Sequence, residues 1–209
     1  MFLFSRVVTL IGSPRRVMPW ATDITAYVNA NSTLQVGCWA ANFGYPIGTV
    51  AWSAMVDSQA TLADATAKLL SEEGYLDLLD AGSDLLSMPG QDFLREVVYG
   101  EPGEPPPIGA VARITTATAA VDRIPDALGW AVDIAKYAEG VIGTPIAVFA
   151  DVFATMGGIT WISVQPDIVA AETAGTKLRD DSAYLSRLVA TKDLYLPGSA
   201  HVGQVTRIA

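Results

Sequence analysis

The phrase WATDITAY begins at Trp20 and WAVDIAKY begins at Trp130, with Trp, Ala, Asp, Ile and Tyr in the same five places of a 209-residue chain. Internal repetition constrains a fold strongly, because both copies must build the same unit. Five matches in eight carry little by themselves, but collinear matches carry more. Arg6-Val7 returns as Arg113-Ile114, 107 residues on, and GTVAWS at Gly48 returns as GGITWI at Gly157, 109 residues on. The same 109 carries Lys68, Leu69, Tyr75, Leu76 and Leu79 onto Lys177, Leu178, Tyr184, Leu185 and Leu188. Pro89-Gly90 returns as Pro197-Gly198 after 108 residues. The order and near-constant spacing describe two copies of one unit.

Between the copies, YGEPGEPPPIG (residues 99–109) holds four prolines and three glycines, which oppose helix and sheet alike. The division that follows is a first repeat over 1–100, a stiff joint over 101–107 and a second repeat over 108–209. In the first repeat, FLFSRVVTLI is a strand ended by Gly12-Ser13-Pro14. A helix over 14–30 follows, with Trp20, Ile24 and Tyr27 on one face. Strands over 33–43 and 49–56 flank a GYPIG turn, and a helix opening on Asp57 or Ser58 carries Leu62, Leu69, Leu76 and Leu79. DFLREVVY closes the unit as a strand. The second repeat predicts strands at 108–116, 145–154, 158–164 and 200–208 and helices at 119–139 and 167–190.

The order β-α-β-β-α-β, written twice, is that of an α+β, ferredoxin-like unit whose two helices cover one face of an antiparallel sheet. The other face is apolar too, and leaving it in water forfeits about 1.5–3 kcal/mol per large side chain. Two such faces must therefore cover each other. Along the first strand, alternation assigns Leu3, Val7 and Ile11 to the helix side and Phe4, Arg6 and Val8 to the opposite side.

This doubled pattern resembles the dimeric α+β-barrel superfamily, which includes antibiotic-biosynthesis-type monooxygenases, NIPSNAP-like proteins, stress-responsive barrel proteins and chlorite dismutases. The resemblance spans nearly the whole chain and is one of element order, with no family motif matched. It implies a barrel closed within one chain or across a homodimer, with a ligand pocket in the unit.

Composition narrows the functions. With 22 acidic and 13 basic residues, a formal charge of −9 and no basic cluster, the chain is a poor partner for nucleic acid. At 51% hydrophobic it can bury a large core, and its mean hydropathy of +0.33 reflects that core. No apolar run approaches a membrane span, and the N-terminus lacks a secretory cleavage pattern, so a cytoplasmic protein is expected. One cysteine, Cys38, and one histidine, His201, in no ligand spacing predict no metal site. Nucleophile-elbow, Cys/His and phosphate-loop motifs are missing as well.

The candidate ligand-binding residues are Arg6, Arg113, His201, Trp39, Trp52 and Trp161. Arg6 and Arg113 sit on the first strand of each copy, on the face assigned to the barrel, as structural ion pairs or as anchors for an anion. His201, aligned by the 108-residue spacing with Phe93, marks a place where the copies differ. The three tryptophans lie on middle strands and serve the core or a pocket wall. Asp23 and Asp133 of the repeated phrase are expected to bond a strand backbone or a tyrosine. Lys68 with Glu72 and Lys177 with Asp181 are spaced as helical ion pairs. No catalytic residue is assigned. No cofactor is expected, although resemblance to chlorite dismutases keeps haem, with its histidine ligand, in view.

The expected function is binding of a small, mostly hydrophobic molecule in a barrel pocket. The resemblance implies cofactor-independent oxidation or rearrangement of that molecule. The alternative is a structural or oligomerisation module with a solid barrel core. A cavity of roughly 300 Å3 or more with a polar anchor separates the two.

Overall fold

A computed structural model describes residues 1–100, 103–191 and 193–209; Glu101 and Pro102, within the expected joint, and Lys192 lie outside the described residues. The first repeat runs β1 (Phe2–Thr9), α1 (Pro14–Asn31), β2 (Gly37–Phe43), β3 (Thr49–Val56), α2 (Gln59–Leu70), α3 (Glu73–Ala81) and β4 (Gln91–Tyr99). The second runs β5 (Val111–Thr118), α4 (Ile124–Ile142), β6 (Ile146–Phe153), β7 (Gly158–Gln165), α5 (Ile168–Asp180), α6 (Ser182–Val189) and β8 (His201–Arg207). Among the described residues no helix is long and apolar enough to cross a membrane.

All pairings are antiparallel and the sheet closes on itself in the order β1-β3-β2-β8-β5-β7-β6-β4. Each repeat contributes four strands in the order 4-1-3-2, and the repeats meet at two seams, β2 with β8 and β4 with β6. The barrel closes within one chain. Among the described residues every strand is paired on both sides, so the barrel leaves no sheet edge open.

The repeated phrase is a packing device. Residues 21–30 and 131–140 have the same sequence of buried, half-buried and exposed positions. Trp20 meets Trp52 edge to face at 5.8 Å, and Trp130 meets Trp161 at 6.2 Å. The repeated tyrosines fasten each first helix to the break in the second helix: Tyr27 Oη donates to Glu72 Oε2 at 3.0 Å and Tyr137 Oη to Asp181 Oδ1 at 3.0 Å. Asp23 and Asp133 are exposed on the outer face, off the strand backbone.

Each expected long second helix is two helices. Glu72 and Asp181 adopt extended backbone, and Asp181 Oδ1 accepts the Tyr184 amide at 2.7 Å, restarting the helix there. Lys68 reaches Glu72 at 3.9 Å as its spacing predicts, whereas Asp181 is committed to Tyr137 and Tyr184.

The facing of β1 is the reverse of the expectation. Val8 and Leu10 belong to the core beneath the helices, with Phe2 and Phe4 packed against it, while Leu3, Ser5 and Val7 line the barrel interior. Cross-strand partners share a face, and Arg6 lies opposite Trp52, which is fixed under α1 by donating Nε1–H to Thr25 Oγ1 at 3.0 Å. Arg6 therefore stands on the helix side. The inner face does not press on a second sheet either: it encloses a cavity.

Candidate functional site

An eight-stranded barrel has an interior that side chains can fill or that can hold one small ligand. Here several inward positions are small, among them Ser5, Gly37, Ala51, Ser53, Ala112 and Ala147. The result is a cavity of about 860 Å3, with Trp39, Phe93 and Phe149 among its aromatic walls. Trp39 is held by an Nε1–H bond to Ser53 Oγ at 2.9 Å, which turns the ring's polar atom into the wall.

Two guanidinium groups line this space, and they differ. Arg207 gives Nε–H to the Ala209 carbonyl at 3.0 Å and an Nη1–H to the Pro106 carbonyl, so its donors pin the C-terminus and the joint. Arg95 gives Nε–H to Asp151 Oδ1 at 2.9 Å and lies over the Phe93 ring at 4.4 Å. Arg95 and Asp151 are only 12% and 9% exposed. Burial draws the Arg95 pKa below its usual range, and the Asp151 carboxylate opposes that shift.

Tyr45, from the β2–β3 turn, lines the same cavity near Arg95. A Cβ on Gly203 would fall 2.1 Å from Tyr45 Cε2, so the ring occupies the space that glycine leaves. The turn depends on Gly44 at φ +81°, where an added Cβ would sit 2.3 Å from the Val202 carbonyl oxygen. Burial raises the Tyr45 hydroxyl pKa and the nearby Arg95 charge works against the rise. His201 packs on Tyr45 with ring centroids 5.2 Å apart, and its Nε2 meets the Gly44 carbonyl at hydrogen-bond distance.

Of the residues expected from sequence, Trp39 and His201 line the cavity, while Arg6, Arg113, Trp52 and Trp161 do not. Arg6 forms a two-pronged pair with Asp92, Nε to Oδ1 and Nη2 to Oδ2, both 2.8 Å, with its side chain 42% exposed. Arg113 faces α5 and α6, near Gly175 and Tyr184. Trp161 donates Nε1–H to the Ala131 carbonyl at 2.9 Å beneath α4. These four lie on the helix-covered face because strand register, not apolar content, decides orientation.

The register also corrects two equivalences drawn from spacing. Trp52 is flanked by Arg6 and Cys38, and Trp161 by Thr115 and Val148, so Arg6 corresponds to Thr115 and not to Arg113. Following the ladders outward, His201 corresponds to Gln91, and Phe93 to Gly203. The same correspondence places Arg95–Asp151 on one seam against Val205–Ala41 on the other. At this position one seam carries an ion pair and its twin an apolar pair.

Haem does not fit the residues present: the one histidine sits at the exposed rim with Nε2 engaged by Gly44. Among the described residues no group of three or more His, Cys, Asp or Glu could hold a metal ion.

No protein-family model matches the chain, and no curated protein matches it. Solved structures do. A candidate monooxygenase from Fusobacterium nucleatum superposes with a TM-score of 0.71 at 10% identity, covering 100% of this chain and 92% of that one. An anthrone oxidase-like protein gives 0.68 at 13% identity, covering 100% and 91%. A candidate monooxygenase from Lactobacillus acidophilus gives 0.66 at 8% identity, covering 99% and 93%. At such identities the likeness is one of fold alone, the closed antiparallel α+β barrel.

Proposed function

We propose that the barrel takes up one small, mostly apolar molecule and, as the names of its structural neighbours suggest, oxidises it without a bound cofactor. The observation that carries this reading is the cavity of about 860 Å3, within the range of small-molecule sites and walled mainly by apolar and aromatic side chains. A solid scaffold core would have large residues where Ala51, Ala112 and Ala147 stand. In the oxidative form of the reading, the enclosed wall holds an electron-rich aromatic substrate against dioxygen, and positioning supplies the catalysis. Monomeric or self-associated, each chain would hold its own molecule.

Two assays test this. The fluorescence of 2-naphthalenemethanol should report saturable binding of one molecule per chain, abolished by Ala112→Phe with Ala51→Phe, a double variant that fills the interior. Absence of binding to the unmodified chain refutes the reading. With anthrone, an oxygen electrode should record one O2 consumed per anthraquinone formed, one oxygen atom entering the quinone and the other leaving as water. Binding of anthrone without oxygen uptake reduces the function to binding.

A further inference from the structure

The two seams of the barrel are related by the repeat, yet among the described residues only the β4–β6 seam carries an ion pair, Arg95 with Asp151, and of that pair Arg95 lines the cavity. Arg95 spends Nε on Asp151, which fixes the guanidinium plane, with Phe93 packed beneath it. Its Nη1 and Nη2 groups have no hydrogen-bond acceptor among the described residues, and they are not sealed away, since Arg95 lines the cavity. The Tyr45 hydroxyl likewise has no partner there, and Tyr45 lines the same cavity near Arg95. Two donors without partners among the described residues thus stand near each other in a mainly apolar wall, whose other charged side chains are Glu104 and Arg207. Arg207, the other guanidinium in the wall, is bound by backbone carbonyls.

We infer that the ligand is an apolar acid, a carboxylate or phenolate on an aromatic body, whose oxygen anion is held by the Nη edge of Arg95 and the Tyr45 hydroxyl. The inference rests on the ligand-binding reading above. A guanidinium edge suits an oxygen anion because it offers parallel, charge-assisted N–H donors. Asp151 shares the charge, so recognition is directional and does not rely on a general attraction for anions, consistent with a chain of net charge −9.

The test compares 2-naphthoate with neutral 2-naphthalenemethanol, the same ring with and without the anion, by calorimetry at one pH and salt. The unmodified chain should prefer the acid at least about tenfold, a difference of about 1.4 kcal/mol. Tyr45→Phe should reduce the preference several-fold. Arg95→Val with Asp151→Ala, which copies the Val205–Ala41 pair of the other seam and leaves no unpaired charge, should abolish the preference, acid and alcohol then binding equally. Equal binding of both probes to the unmodified chain overturns the inference and leaves the cavity reading standing. A preference that survives in the double variant, or that disappears instead in Arg207→Gln, overturns it too. Failure of both probes to bind overturns the cavity reading and this inference with it.

Discussion

Replacing Asp151 with alanine should be among the most damaging single changes on the barrel wall, and replacing Arg95 with valine at the same time should undo most of the harm. Arg95 is 12% exposed and Asp151 9%, so the pair is largely out of water. Removing one partner of a buried ion pair costs about 3–5 kcal/mol, because the other charge stays buried without compensation. The Nη edge of Arg95 still borders the cavity, which places Asp151→Ala at the lower end, about 3 kcal/mol. For a chain of this size that lowers Tm by about 6–12 °C. The double variant Arg95→Val with Asp151→Ala recreates the Val205–Ala41 pair that the barrel already tolerates on its other seam. Its stability should lie within about 1 kcal/mol of the unmodified chain, as for other buried pairs exchanged for apolar residues. Urea denaturation of both single variants and the double gives the coupling directly. A double variant that loses the sum of the two single losses refutes the reasoning, because the charges would then act independently of each other.

Gly203→Ala should expel the Tyr45 ring, since the new Cβ would overlap it, and peptide mapping after tetranitromethane treatment should then find Tyr45 nitrated much faster than in the unmodified chain. Thr25→Val removes the acceptor of the Trp52 indole N–H and should cost about 1–3 kcal/mol in denaturant melts, as expected for a buried donor left without a partner. Burial pushes the Cys38 thiol up from 9.0 to about 11, so the folded chain retains a proton there that the unfolded chain releases. That contribution to stability is complete below the unfolded value and declines as pH rises through the interval, by up to about 1.4 kcal/mol per pH unit; Cys38→Ala should flatten this part of the profile. For the same reason, iodoacetamide should modify Cys38 only in denaturant.

The architecture was legible because duplication is a one-dimensional signal: Trp20 and Trp130, Tyr27 and Tyr137 repeat in chain order, and their packing follows from that order. Inside and outside were not legible on β1. One face meets helices and the other an apolar cavity, so Leu3 and Phe4 differ in orientation without differing in polarity, and alternation carries no contrast. What decides the matter is that Arg6 stands beside Trp52, a fact of register between segments 46 residues apart. Arg95 and Asp151 escaped notice for a related reason. They lie 56 residues apart in different repeats and meet only because the barrel closes. A signal did exist: aligned through the strand ladders, Arg95 faces Val205 and Asp151 faces Ala41 across the repeat. The spacing taken from Pro89-Gly90 and Pro197-Gly198 aligned the last strands two residues off and hid it. Tyr45 had no counterpart to be compared with, because the β6–β7 turn offers Ala154 and Thr155 where the β2–β3 turn offers Tyr45 and Pro46.

A crystal structure of the chain grown with 2-naphthoate would test most directly the claim that the two repeats enclose a ligand-taking space. One naphthalene ring should lie inside the barrel, between Trp39 and Phe149, with its carboxylate within hydrogen-bond distance of Arg95. An interior closed by collapsed side chains, with the naphthoate outside the barrel or absent, would contradict that claim.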